Sequence, residues 1–206
     1  MLTSSPAVKS ANKASTSTLA RSVSASYDIP SLSPLLQVLH SSHLNQNQRD
    51  SVWRVFEDNM YSLYENSSFG WDPDSKRKEL FDKLSRFILV YKEGSTELLA
   101  FVMFRFEFEV DEDVIYWQVA SSAQGVSLGR RLIGELETLC RMYKMKKIML
   151  TVLKANSRAL EFYKAVGFTM DPTSPGYVDS DAEEESESGS EQEIVDYEIL
   201  SKLILP

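Results

Sequence analysis

The chain has 206 residues, 43% of them hydrophobic, with 10 Phe, 9 Tyr and 3 Trp, enough to build one sizeable core and to predict one domain with tails. Its lone cysteine, Cys140, excludes an internal disulfide and a cysteine-rich metal site and fits a reducing compartment, and no apolar run is long enough to cross a bilayer. The net charge of −8 is localised: Asp179–Glu193 holds eight of the 30 acids and no base, leaving 22 acids against 22 bases, which argues against a globally basic nucleic-acid binder.

Residues 1–26 are rich in Ser, Thr and Ala, with few large apolar side chains. The expectation is a disordered arm. Lys9, Lys13 and Arg21, with no acid before Asp28, loosely resemble an organelle transit peptide, but an amphipathic pattern is missing. A short apolar stretch, Leu32 to Leu39, follows two prolines. His40 and His43 have no nearby ligand partners in sequence and read as surface residues, with no metal expected. Gln48 to Glu65 reads as a helix with Val52, Phe56, Met60, Leu63 and Tyr64 along one side. The segment Ser67–Pro73 breaks it, and Ser75 to Leu84 reads as a short charged helix.

Strands then dominate. Arg86 to Lys92, a turn at Glu93–Ser95, and Leu98 to Phe108 read as a hairpin; Phe104, Phe106 and Phe108 alternate with Arg105 and Glu107. The acidic turn Asp111–Asp113 leads into a central buried strand, Val114 to Val119. A loop of small residues follows. Then comes an amphipathic helix whose apolar face carries Leu128, Leu132, Ile133, Leu136, Leu139, Cys140 and Tyr143. Cys140 on that face reads as a buried small hydrophobe. The first-turn amides of such a helix are unpaired and carry the positive end of its dipole, so a pyrophosphate suits them. Lys147 to Leu153 is another buried strand. Asn156 can cap a helix from Arg158 to Val166 that ends at Gly167, and Val195 to Leu203 returns as the last strand. The pattern predicts an α/β fold, a mixed and mostly antiparallel sheet with helices on both faces.

This order of elements resembles the GNAT acetyltransferase superfamily. There a Gln/Arg-x-x-Gly-x-Gly/Ala loop lets backbone amides hold the pyrophosphate of acetyl-CoA. Gln124-Gly125-Val126-Ser127-Leu128-Gly129 matches at Gln124 and Gly129, with Ser127 at the first Gly position. Phe162-Tyr163-x-x-x-Gly167-Phe168 is similar to the superfamily's closing helix, which makes Tyr163 a candidate acid for the leaving thiolate. The residue-level alternative is that Phe162, Tyr163 and Phe168 simply pack.

Separated pieces carry a narrower likeness. Asn59-Met60, Leu63-Tyr64-Glu65, Ser67–Trp71, Phe104–Glu107, Met145–Val152 and Asp196–Leu200 together resemble the N-alpha-acetyltransferase D (NatD) family, over roughly Gln48 to Lys202. The resemblance implies acetylation of the N-terminal amine of histones four and two-A, whose tails begin Ser-Gly-Arg-Gly. It implies peptide contacts from Tyr64, Phe69, Glu107, Tyr116, Thr151 and Tyr197. Contacts to acetyl-CoA would come from the backbone of Trp117, Gln118 and Val119, from Gln124, Gly125, Val126, Ser127, Leu128, Gly129 and Arg130, and from the side chain of Asn156. On this reading residues 27–206 form one GNAT domain with an acidic loop at 179–193. The protein is a monomer in the cytoplasm and nucleus, its partner is the histone tail, and it contacts neither nucleic acid nor membrane.

One departure bears on mechanism. The family has a glutamate at the end of the central strand, implicated as general base. Here the chain is about three residues shorter after Tyr116 and reads Trp117-Gln118-Val119 without a carboxylate. Glu107, or a water relayed through tyrosines, is left to do that work. An α-amino group, with a pKa of about 7.7–8.0, tolerates a weak base; a lysine amine near 10.4 does not. An oxyanion is expected to be held by a backbone amide, assigned to Val119. Two other readings stay open from sequence: a GNAT enzyme acting on a small amine or lysine, and a histone-binding module that has lost catalysis.

Overall fold

The computed structural model describes residues 5–29, 33–109, 112–121, 128–178 and 195–205, with backbone alone at 119–121. Seven strands form one sheet in the order β1-β2-β3-β4-β5-β7-β6. They are β1 (Leu35–His40), β2 (Arg86–Tyr91), β3 (Leu98–Glu109), β4 (Glu112–Ser121), β5 (Lys147–Leu153), β6 (Thr169–Met170) and β7 (Tyr197–Leu203). Neighbours run antiparallel except β4 and β5. That parallel pair needs a crossover, and the helix α5 (Leu128–Met142) supplies it. The mixed, mostly antiparallel α/β sheet expected from the sequence is what forms.

Period-two alternation sends side chains to two cores. Ile88, Val102, Phe104, Phe106, Ile115, Trp117, Ile148, Leu150 and Val152 face α5 and α6 (Ser157–Ala165), where Leu132, Leu136, Leu139 and Cys140 meet them. Cys140 is fully buried, and burial pushes its thiol up to about 12, so it packs as an inert hydrophobe. Phe87, Leu89, Phe101 and Met103 point the other way, onto Val52, Trp53 and Phe56 of α3 (Gln46–Glu65) and Leu80 of α4 (Pro73–Leu80). With both faces covered, β2 is buried almost end to end.

Several expectations need correction. The arm expected to be disordered instead forms α1 (Pro6–Asn12) and α2 (Thr16–Ala20), and buries Val8, Ala11, Leu19, Val23 and Tyr27 in the core on the α5 side. Its serines are helix caps: Ser5 Oγ accepts from Val8 N–H at 3.1 Å and Ser15 Oγ from Thr18 N–H at 3.2 Å. Asn12 donates to the Phe106 carbonyl, Arg86 donates to the Asn12 carbonyl, and Tyr27 donates to Glu135 at 3.2 Å. These bonds tie the segment to β3, β2 and α5. The stretch after the prolines is an edge strand, β1. Asp72-Pro73 starts a helix as N-cap and first residue rather than only ending the previous one. His43 is exposed, as expected of a surface residue, and His40 is half-buried; their rings stack at 5.6 Å and His43 bonds Thr16 Oγ1 at 3.0 Å, so the pair also braces the arm. Among the described residues no helix is long and apolar enough to cross a membrane.

Candidate active site

The register between β4 and β5 covers only Val114–Tyr116 against Lys147–Met149. Beyond those pairs β4 runs on to Ser121, held by β3 alone, and β5 to Leu153, held by β7. The two strands therefore part after Tyr116, leaving the β4 backbone edge from Trp117 onward without a partner strand among the described residues. Unpaired amides and carbonyls inside a sheet need a partner. The N-termini of α5 and α6, the helices that follow these two strands, lie at this same end, where ligands of parallel strands bind.

Around this opening the structure places the expected cofactor residues. Leu128 is buried as the first residue of α5, and Arg130 is exposed in its first turn. At Gly129 a Cβ would sit 2.9 Å from Phe162 Cζ, so any larger residue would have to push that ring aside where α6 approaches α5. Asn156 Oδ1 caps α6 by accepting from Ala159 N–H at 3.2 Å. Gln124, Gly125, Val126 and Ser127 lie outside the described residues. The Trp117 indole N–H is buried without a hydrogen-bond partner, a donor left over beside the parting strands. An orphan indole donor, an unpaired β4 edge and a helix N-terminus suit a chain of amides ending in phosphates, which is the donor set acetyl-CoA requires. Tyr163 is 8% exposed and packs against Trp117 (5.6 Å) and Phe168 (5.7 Å). Burial raises its pKa, so the phenol is kept protonated.

On the opposite face of the sheet the expected peptide residues converge from α3, the loop after it, and strands β3, β4, β5 and β7. Strand pairing puts Glu107, Arg105, Tyr116 and Gln118 on one face through the pairs Glu107–Val114, Arg105–Tyr116 and Met103–Gln118. Tyr116 donates to Thr151 Oγ1 at 2.7 Å. Tyr64, from the last turn of α3, has Phe69 edge-on at 6.1 Å, and Phe69 lies 5.0 Å from Tyr197. The loop carrying Phe69 is pinned by Asp196, which accepts from Ser68 N–H and Ser68 Oγ, both at 2.6 Å. Those two bonds hold the Asp196 carboxyl below its usual range.

Electrostatics follow from burial and two acids. Burial raises Tyr64, with Glu79 and then Tyr116 adding to it. Burial likewise raises Tyr116, partly offset by its bond to Thr151. Glu107 is pushed up by burial, with Arg105, 3.6 Å away, opposing. Glu107 also lies opposite Val114, two residues short of Tyr116, so its Cα is set back from the opening by about 7 Å along the strand. β4 pairs with β3 without a shift from Glu112 to Ser121, so the shortened sequence leaves no break in the ladder, and no carboxylate lies on β4 between Ile115 and Ser121.

Glu79 and Lys76, both on α4, were missed by the sequence reading. Lys76 Nζ sits 4.0 Å from the Tyr64 ring centre and 5.5 Å from that of Phe69, and its pair with Glu79 is 3.8 Å. A charged helix gives no sequence signal of the rings beneath it. Among the described residues no group of His, Cys, Asp and Glu is arranged to hold a metal ion.

Comparison with known proteins fits this geometry. Solved structures share the fold across most of their lengths. The spermidine N-acetyltransferase of Vibrio cholerae, in complex with CoA and spermine, is 19% identical with a TM-score of 0.53, covering 82% of this chain and 95% of that one. Escherichia coli ElaA is 20% identical with a TM-score of 0.54, covering 82% and 99%. Salmonella typhimurium yncA, with its cofactor acetyl-CoA, is 13% identical with a TM-score of 0.52, covering 82% and 94%. The model of the acetyltransferase (GNAT) family matches residues 52–168, more than half of the chain. The protein is thus an acetyltransferase whose acetyl donor is acetyl-CoA. It belongs to the GNAT family.

Proposed function

We propose that this acetyltransferase acts on the α-amino group of a basic protein N-terminus, of the histone type beginning Ser-Gly-Arg-Gly, as its resemblance to the NatD family implies. The observation that carries the reading is the meeting of Tyr64, Phe69, Tyr116, Thr151 and Tyr197 on one sheet face, next to the point where β4 and β5 part. A flexible cationic tail needs a carboxylate for its charge and flat rings for its backbone to lie against. On this reading the protein works as a monomer in the cytoplasm and nucleus, without nucleic acid or membrane.

Acetyl-CoA supplies an acetyl group activated as a thioester. The β4 edge at Trp117, Gln118 and Val119 and the first turn of α5 would hold it, and the Val119 amide is the donor assigned to the oxyanion. Tyr116, fixed by Thr151, orients the incoming amine through a water. Glu107, set back along β3, holds the arginine of the tail. Tyr163 Oη is the candidate proton donor for the leaving group, although burial raises its pKa and so makes it a weaker acid than a free phenol. A strong base is dispensable because on the order of a tenth of α-amines near pKa 7.7–8.0 are already neutral at pH 7.

The test is transfer of acetyl to Ser-Gly-Arg-Gly peptide against the same peptide blocked at its amine. Incorporation into the free peptide alone is expected. Equal incorporation into both defeats the N-terminal reading, and strong turnover of polyamines with none on free N-termini replaces it with a small-amine enzyme. Tight binding with no transfer leaves a binding module.

A further inference from the structure

The α4 helix presses a cation onto the wall assigned to the peptide. Lys76 Nζ lies 4.0 Å from the centre of the Tyr64 ring and 5.5 Å from that of Phe69. Its side chain is only 14% exposed, so the ammonium rests on the rings instead of in water. Glu79, one turn on, balances the charge at 3.8 Å, while its own side chain stays half open to solvent. An exposed pair of this spacing is worth little by itself. What it does is keep the lysine folded down on two ring faces that would otherwise be open to a substrate cation.

We infer that Lys76 is a specificity-determining residue, whose ammonium fills the Tyr64 and Phe69 ring faces from within and so withholds them from the substrate's basic side chain. That side chain is left to the carboxylates Glu107 and Glu79, and a second positive charge arriving near the rings meets repulsion. An aromatic wall without a resident cation would take any amine by cation–π attraction. With one, it rejects cations that cannot reach a carboxylate. The inference rests on the peptide-acetyltransferase reading.

The experiment measures binding of two fluorescent peptides by anisotropy without acetyl-CoA, so no transfer occurs: Ser-Gly-Arg-Gly, and its neutral isostere with citrulline for arginine. Lys76→Ala removes the charge and the stem together, opening the ring faces at no cost in helix propensity. Expected is a gain for the arginine peptide of about three- to tenfold, the span of a cation–π contact, with no change for the citrulline peptide. Lys76→Arg should match the wild type on both. Lys76→Ser, which also empties the ring faces, replaces the Ala variant if that melts early. Equal change for both peptides, or none for either, overturns the inference and leaves Lys76 a brace between α4 and α3. A wild type that binds neither peptide defeats the peptide reading itself, and this inference with it.

Discussion

The hydroxyl of Tyr116 donates to Thr151 Oγ1 across 2.7 Å, joining β4 to β5 two residues beyond the last paired residue of β5, Met149. The bond therefore spans the opening between the strands and fixes the tyrosine at its mouth. Thr151→Val keeps the shape but removes the acceptor, leaving the hydroxyl at the open mouth to bond water instead. A hydrogen bond of net worth about 1 kcal/mol corresponds to roughly fivefold, so kcat/KM on the peptide should fall about five- to tenfold. Steady-state kinetics with the peptide varied checks this, and the KM for acetyl-CoA should stay within about twofold if the bond serves only the amine side.

Glu107 lies opposite Val114, set back from the opening, and the proposal gives it a binding role. Its glutamine variant should raise KM for the arginine peptide while kcat stays within about threefold; loss of general-base help would instead cost about 10²–10⁴ in kcat. Burial raises its pKa above that of an ordinary glutamate, outweighing Arg105. The ionised form is the one that holds a cation, so wild-type kcat/KM on the basic peptide should drop as pH falls through that raised pKa. Glu107→Gln should lose this limb of the profile.

The Ser68–Asp196 clasp sets the position of Phe69 beside Tyr197. Since the Asp196 pKa is depressed in the folded state, its contribution to stability is present above the unfolded value of about 3.9 and is lost as pH falls through the lower, folded value. Thermal melts of Ser68→Ala across the acid range should show a weaker dependence on pH in that window than the wild type. The same variant should raise KM for the peptide and leave KM for acetyl-CoA unchanged.

The N-terminal helices are part of the domain. Leu19 is fully buried, and Leu19→Ala should cost about 2–5 kcal/mol, a drop in Tm of roughly 5–15 °C for a domain of this size. Ser15→Ala removes the cap of α2 and should cost about 1 kcal/mol. Calorimetry separates these from a flexible arm, for which neither change would register.

How far the sequence speaks depends on how local each signal is. The apolar faces of α3 and α5, and the alternation of β3, are period-based, and the structure has them with ends shifted by a few residues. The arm was opaque because Ser5 and Ser15 look like disorder-promoting serines until the helices they cap are packed. Among the described residues before Ser24, three sizeable apolar side chains (Val8, Leu19 and Val23) carry that packing. Edge strand β1 lacked a clean pattern, and two-residue β6 has none to give. For the site, nothing in the spacing of Tyr64, Tyr116, Thr151 and Tyr197 brings them together; the family resemblance did that, strand register accounts for Tyr116, Thr151 and Tyr197 sharing a face, and ring contacts through Phe69 join Tyr64 to Tyr197. Lys76 and Glu79 were invisible for the reason that charged helical surfaces usually are: a pattern shows which face is apolar, and not what a lysine on its border reaches down to touch.

The most direct test gives the enzyme one peptide with two amines, Ser-Gly-Arg-Gly-Lys, and locates the transferred acetyl group by fragment-ion mass spectrometry at neutral pH. The account predicts acetyl on the serine α-amine with the lysine side chain unmodified. Acetyl on the lysine side chain, with the terminus free, would contradict it.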